Sequence, residues 1–351
     1  MKKTATIVFS IERSFVKSDI LIFEALGFKV LKIKSEPHKT ITLFILNRFK
    51  EAFKSIIYLP KSDFVVSWFN DYHTFMPILI SKLLFKKSII IVGGYDAIVD
   101  QENKHGIFLN NGLRSYVAKV NYKMASEVWV VHKTLENGCR HAEEKFNITS
   151  GVRNFVDKKN IIIKEINTGY DSRFWNYDHE KDKSGVLTAA FFSDKRVISI
   201  KGLKLFNKLA SLVPDVNFTI AGQSEINIEE IINLEPNVNV IGVQSKTQMK
   251  ELYQKNKFYF QGSRLEGLPN TVCEAMLCGC VPIGSRVFGI PDVIGNAGIL
   301  FDTEKNLQQV AKYINSDLTK YNSKKARQRI KRKLDVSFRI EKIKERIVQW
   351  K

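Results

Sequence analysis

The sequence predicts an α/β protein built from two doubly wound, parallel-sheet domains. Three observations carry that expectation. The chain has 351 residues, too many for one ordinary core and suited to two domains of about 150–200 residues each. Short apolar runs alternate along it with amphipathic stretches of about ten residues, the pattern of βα units and hence of a parallel sheet. The alternation lapses into polar, poorly periodic chain over 147–175 and recovers afterwards. A boundary there gives domains 1–165 and 166–335, followed by a terminal helix over 336–351.

In order, Thr6–Phe9 reads as a strand, Asp19–Leu26 as an amphipathic helix stopped by Gly27, and Lys29–Ile33 as the second strand. The pattern resumes with a strand over Phe64–Phe69, a helix over 74–84 and a strand over Ser88–Val92. A helix over 113–125, a strand over Glu127–Val131 and a helix over Leu135–Phe146 follow. Ile161–Ile166 runs into the boundary segment, and Asp178–Gly185 is charged and loop-like. The second half expects strands at Val186–Phe192, Asn217–Ala221 and Val238–Ile241, with helices at Leu203–Leu212, Ile228–Leu234 and 247–254. The final helix, Val336–Trp350, is charged and amphipathic and is expected to pack on the second domain. Two consecutive sheets leave a cleft, and parallel sheets bind ligands beyond the carboxyl ends of their strands.

Composition removes several classes of function. An apolar content of 44% excludes disorder. Cys139, Cys273, Cys278 and Cys280 lack the matching Cys or His pair of a zinc site and do not form a disulfide framework. They read as small buried thiols in a reducing cytoplasm. The N-terminal apolar run breaks at Glu12, so a first strand is expected there and not a signal peptide. Lys82, Lys86 and Lys87 interrupt Phe75–Val92, so no stretch spans a membrane.

The net charge is +19, with 26 basic and 16 acidic residues in 1–170 and 29 and 20 in 171–351. One run, Lys320–Lys333, concentrates eight basic residues and no acid. It reads as a solvated helix face, an attraction to an anionic membrane surface, or a nucleic-acid contact. No RRM, KH or zinc-finger signature accompanies it, so nucleic acid is not expected as a partner.

The most informative stretch is Gly262–Gly284, GSRLEGLPNTVCEAMLCGCVPIG. A strand, KFYFQ, feeds a loop holding Glu266, Gly267 and Pro269. A helix begins near Asn270, carries Glu274 in its first turn and ends at Gly279, and VPIG returns as a strand. Such a unit holds an anion at a helix N-terminus, here between two carboxylates. Thr271-Val-Cys-Glu274 also fits a capping box, in which Glu274 would bond back to the start of its own helix.

With its surroundings this stretch resembles the retaining nucleotide-sugar glycosyltransferases of glycosyltransferase family 4, the group 1 glycosyl transferases. Asn167-Thr168-Gly169-Tyr170-Asp171 with Phe174 matches the family's domain-joining segment, and Arg196-x4-Lys201-Gly202 its basic pair. Ala221-Gly222 and Ile241-Gly242-Val243 match strand ends. Ser263-Arg264-x-Glu266-Gly267-Leu268-Pro269 through Glu274-Ala275-Met276 is the E-x7-E block, and Gly289-Ile290-Pro291-Asp292 and Gly298-Ile299-Leu300 complete it. Coverage is roughly 165–302. In the first half only Gly93-Gly94-Tyr95-Asp96 is similar, to a cleft loop of some bacterial members. Ser10-Ile11-Glu12-Arg13 stands where the family's glycine pair follows the first strand.

The resemblance implies the GT-B architecture, two Rossmann-like domains facing a cleft. It further implies transfer, with retention, from a nucleotide sugar to a saccharide or lipid-linked saccharide acceptor. Arg196 and Lys201 would neutralise the diphosphate, a task that a D-x-D motif, absent here, would give to a metal. Glu274 would hold the ribose and Glu266 the donor sugar. Gly267, Leu268, Pro269, Asn270 and Thr271 would present backbone to the donor, with Gly222, Gly242 and Val243 at neighbouring strand ends. Gly93 and Gly94 would line the cleft, and Asp96 is either a polar group near the acceptor or a turn residue. No cofactor and no metal are expected. A nucleotide-sugar epimerase of the same architecture, and a basic membrane- or nucleic-acid-binding protein on a degenerate transferase fold, remain as other readings.

Overall fold

In a computed structural model the described residues are 3–157, 161–177, 183–192, 194–316 and 322–350. The chain divides into two compact units, Met1–Thr168 with Arg339–Lys351, and Gly169–Phe338. It therefore passes between them twice. Residues 178–182 of the expected charged loop, and Lys320 of the basic run, lie outside the described residues.

The first unit is built on β1 (Thr4–Phe9), β2 (Lys29–Lys34), β3 (Phe64–Trp68), β4 (Lys87–Val92), β5 (Ile98–Asp100), β6 (Glu127–Val130), β7 (Ile148–Ser150) and β8 (Ile163–Glu165). Six of these form a parallel sheet in the order β2-β1-β3-β4-β6-β8, and β5 and β7 pair antiparallel. The order at β2-β1-β3 is the flavodoxin-like variant of the doubly wound fold. Every residue of β1 and β3 is buried, as expected where helices cover both faces. The edge strand β2 turns lysines outward, which protects it from pairing with another chain.

Three departures from the expected elements have local causes. The helix Ile41–Tyr58 is missing from the elements that hydrophobic alternation predicts. Its buried residues are Asn47, Glu51 and Ser55, so its apolar period marks the wrong face. Thr40 caps it by accepting from the Leu43 N–H at 3.2 Å, and Asn47 donates to the Glu36 carbonyl at 2.9 Å. The helix expected over Leu135–Phe146 is two, Thr134–Asn137 and Arg140–Phe146, broken at Gly138, whose φ is +98°. The helix expected over Ile228–Leu234 is a single 3₁₀ turn, Ile228–Glu230, because the Asn227 side chain takes the Glu229 N–H.

The terminal helix, Val336–Gln349, packs in the first unit and not on the second domain. Arg339 places both arms of its guanidinium on Asp19, at 2.6 Å each, with both side chains buried. Trp68 donates to the same carboxylate at 2.9 Å, and Arg339 also donates to the carbonyls of Ile166 and Asn167. Further along, Arg346 and Trp350 both bond Glu127, and Trp350 stacks on Trp129. An apolar stripe states that a helix must pack but not on which sheet. The choice is made by two buried carboxylates in the first unit, whose burial cost a paired cation offsets.

The second unit holds β9 (Val186–Ala189), β10 (Phe218–Gln223), β11 (Val238–Gly242), β12 (Phe258–Gln261), β13 (Val281–Ser285) and β14 (Ile299–Phe301). The sheet is parallel throughout, in the order β11-β10-β9-β12-β13-β14. That is the dinucleotide-binding order 3-2-1-4-5-6, whose switch point lies between its first and fourth strands, here β9 and β12. Phe206, Phe218, Phe260 and Phe301 form its aromatic core. The basic run is the helix Ser323–Lys333, and it is only partly a solvated face. Arg327 donates to the carbonyls of Ser172, Trp175 and Leu277, and Arg329 to those of Asp292 and Val293. Among the described residues no helix is long and apolar enough to cross a membrane.

Candidate active site

The E-x7-E segment emerges from β12 at the switch point of the second unit. Gln261 ends the strand, Gly262–Pro269 loops, and the helix Asn270–Leu277 follows. That helix ends on Gly279 at φ +81°. The Cys280 N–H bonds the Ala275 carbonyl and the Gly279 N–H that of Met276, a Schellman closure that fixes where β13 begins.

Lys201 and Glu266 meet. The Lys201 ammonium lies 2.9 Å from Glu266 Oε2, with both side chains half-buried. Gln261 Nε2 donates to the same oxygen at 3.0 Å, and the Ser263 hydroxyl reaches it at 3.4 Å. Lys201 is brought there by a backbone approach that only glycine permits. A Cβ on Gly202, which has φ +67°, would stand 2.1 Å from the Gly262 carbonyl oxygen. The Arg264 N–H bonds the Ile200 carbonyl at 2.9 Å, joining the two segments a second time. The Lys-Gly pair is therefore a packing requirement as well as a charge.

Glu274 does not cap its own helix. The N-cap is Pro269, no side chain caps the helix start, and the capping box read from Thr271 and Glu274 does not form. Instead, among the described residues, Glu274 has one hydrogen bond, from the Tyr253 hydroxyl at 3.4 Å. Burial raises its pKa from 4.5 to about 7, opposed by Lys246 and by that tyrosine. A carboxylate has about four acceptor sites, so most of its capacity is open. Asn270 at the helix start accepts from Tyr170 of the domain-joining segment at 2.6 Å, which ties the NTGYD motif to the E-x7-E helix.

Arg196 is paired outside the Lys201–Glu266 contact. Its guanidinium is held by Asp194, at 2.9 and 2.6 Å, on an exposed turn. Gly222 and Gly242 are at or beside the ends of β10 and β11, and Val243 is exposed beyond them. At about 4.8 Å per strand, β11 lies roughly 10 Å from β9 along the same sheet edge. Gly267, Leu268 and Pro269 are buried in the loop, and the Gly267 carbonyl accepts from the Gly289 N–H at 3.2 Å. Thus the GIPD segment supports the E-G-L-P loop.

In the first unit Asp96 is wholly buried. Its carboxylate accepts from the N–H groups of Asn70, Gly93 and Gly94 at 3.1–3.2 Å. Burial lifts its pKa to about 6 against the pull of those bonds. This is the turn-holding arrangement: the carboxylate ties its own loop to the backbone of Asn70. Beside it a cavity of about 430 Å³ is lined by Tyr72, Tyr95, Lys104, Asn110 and Arg114 among others. The sequence assigned no role to that cavity, nor to Gln261, Ser263, Tyr253 and Asp194 as partners of the predicted site residues. A neutral polar residue at a strand end carries no spacing signal. Asp194, two residues before Arg196, was open to notice as a competing anion.

Comparison with known proteins bears on the fold. Residues 180–334 match the model of the family glycosyl transferases group 1. No curated protein matches the sequence. Among solved structures, a sucrose-phosphate synthase from Thermosynechococcus elongatus superposes with a TM-score of 0.73 at 13% identity, covering 99% of both chains. HepE of Anabaena, in complex with UDP and glucose, gives 0.71 at 14% identity, covering 99% of this chain and 100% of that one. A glycosyltransferase from Rickettsia africae gives 0.68 at 16% identity, covering 98% and 97%. At such identities the likeness is one of fold, and the fold is GT-B. Residues 180–334, the part of the chain that matches the glycosyl transferases group 1 model, hold Lys201, Glu266 and Glu274.

Proposed function

We propose that this protein is a retaining, metal-independent glycosyltransferase. It moves a hexosyl-type sugar from a nucleoside diphosphate to a hydroxyl of a saccharide or lipid-linked saccharide. The observation that carries the reading is the Lys201–Glu266 pair at the β9–β12 switch point, beside a Glu274 carboxylate with open acceptor sites. HepE, of the same fold, binds UDP and glucose. In this reading Lys201 faces the diphosphate, Glu266 the sugar hydroxyls and Glu274 the ribose hydroxyls. The base lies toward Gly222, Gly242 and Val243. The first helical turn at Asn270 and Thr271 supplies N–H donors to phosphate. Arg196 joins only if phosphate displaces Asp194. Asp96 positions the Gly93–Gly94 loop.

The transfer balances without a protein nucleophile. The bond from the sugar's anomeric carbon to the diphosphate oxygen breaks, and the acceptor oxygen bonds that carbon on the same face. The acceptor's proton passes to the departing phosphate oxygen, whose charge Lys201 offsets. The protein works at the cytoplasmic face of the cell membrane, as a peripheral enzyme of surface polysaccharide, lipopolysaccharide or glycolipid synthesis.

A thermal-shift panel of UDP-, GDP- and ADP-sugars tests the donor. One nucleotide series is expected to raise Tm, and a panel without any shift in a folded protein would overturn the reading. Glu274 gives a second test. Its folded pKa of about 7 exceeds the unfolded 4.5, so the folded state holds the proton more tightly. Stability is then highest below about pH 4.5, falls as pH rises to about 7, and is level above. Glu274→Gln is therefore expected to raise Tm relative to the parent at pH 8, where it also weakens nucleotide binding, and to change Tm little at pH 4.5. A Tm difference that does not vary with pH would refute the displaced carboxyl.

A further inference from the structure

The helix Ile41–Tyr58 is inside out. It buries Asn47, Glu51 and Ser55 and presents apolar side chains to solvent. Phe49 is 70% exposed, Phe53 64% and Ile56 58%, with Ile41 and Ile45 beside them. At 100° per residue these fall within an arc of about 120°, with Lys50 and Lys54 beyond it on one side. The one acid of the helix, Glu51, points inward and is paired with Arg48 at 2.6 Å. The surface continues past the end of the helix. Lys86 donates to the carbonyls of Pro60 and Ser62, which sets the turn at Leu83–Phe85 next to the helix terminus. Phe85 on that turn is 97% exposed, and Lys82 and Lys87 are exposed around it. Scattered exposed apolar residues are ordinary, but a contiguous face of large ones marks a partner surface.

We propose that this face seats the protein on an anionic lipid bilayer. The helix would lie in the plane of the interface, with Phe49, Phe53 and Ile56 among the acyl chains and the lysines at the headgroups. The charge pattern selects this occupant. The exposed charges on the helix and on the adjoining turn are all lysines, which complements anionic headgroups. The basic run at Ser323–Lys333, by contrast, spends two of its arginines on internal carbonyls. The inference rests on the peripheral location proposed above and not on the transferase chemistry.

The test is sedimentation of the full chain with vesicles of phosphatidylglycerol and phosphatidylcholine, and with vesicles of phosphatidylcholine alone. Binding to the anionic vesicles is expected to exceed binding to neutral ones by tenfold or more. Phe49→Ser with Phe53→Ser is expected to reduce it at least tenfold, while nucleotide-sugar thermal shifts stay as in the parent. Equal binding of parent and variant to anionic vesicles overturns the assignment. So does absence of vesicle binding together with self-association that the variant abolishes, which would make a second copy the occupant. Failure of the nucleotide-sugar panel would leave the vesicle result standing, so the two readings fall separately.

Discussion

Lys201→Ala is expected to lower kcat for sugar transfer by about 10²–10³, the loss that follows removal of one preorganised group stabilising developing oxyanion charge. The substitution deletes the cation 2.9 Å from Glu266, and Gln261 and Ser263 continue to donate to that carboxylate. The fold should therefore survive, as a Tm near the parent's would confirm. Calorimetry separates the role further. Affinity for the nucleoside diphosphate should fall, while affinity for the bare nucleoside should not, because only phosphate faces the ammonium. Arg196→Ala is the internal comparison and should cost less, since Asp194 already engages its guanidinium. An unchanged kcat in Lys201→Ala would remove this lysine from the chemistry.

The second large effect falls on stability. Arg339→Ala is expected to destabilise the first unit by about 3–5 kcal/mol, because it strands a buried carboxylate. Among the described residues, Asp19 would keep only the Trp68 indole N–H in a site where its side chain is 1% exposed. Replacing both partners together, Asp19→Leu with Arg339→Met, should recover much of that loss, since no buried charge is then left alone. Urea unfolding followed by tryptophan fluorescence reads the change. Trp68, Trp129 and Trp350 all lie in the first unit. A shift below about 1 kcal/mol for Arg339→Ala would show that water reaches Asp19 and relieves it.

The parts of this molecule that sequence made legible are those encoded locally. Glu266, Glu274, Gly279 and the strand VPIG sit within one continuous stretch, where turn chemistry and periodicity act on neighbours. The Lys201-Gly202 pair was legible for the same reason, although its cause, the approach of Gly202 to the Gly262 carbonyl, is not local. Two features were illegible on physical grounds. The helix Ile41–Tyr58 has apolar residues at helical spacing but violates the assumption that they point inward, so the period could not say which of its faces is buried. The terminal helix carries an apolar stripe that fits either sheet, and its true site is set by Asp19 and Glu127, hundreds of residues earlier. Glu274 lay between these cases. Its spacing allowed either a cap or a ligand, and only the position of Pro269 as N-cap removes the first.

The clasp between Asp19 and Arg339 spans 320 residues of sequence, and that span has a consequence in time. At about 5–20 residues per second, a ribosome needs roughly 15–60 s to make Arg339 after it has made Asp19. The second unit, continuous from Gly169 to Phe338, is synthesised whole within that interval. The unit that is synthesised first is thus the last to be finished. A product that stops at Phe338 would carry the whole second unit and a first unit with an unanswered buried charge and an uncovered Trp129. Proteases and chaperones that patrol unfinished chains would meet that defect in the N-terminal half, although the missing residues belong to the C-terminus.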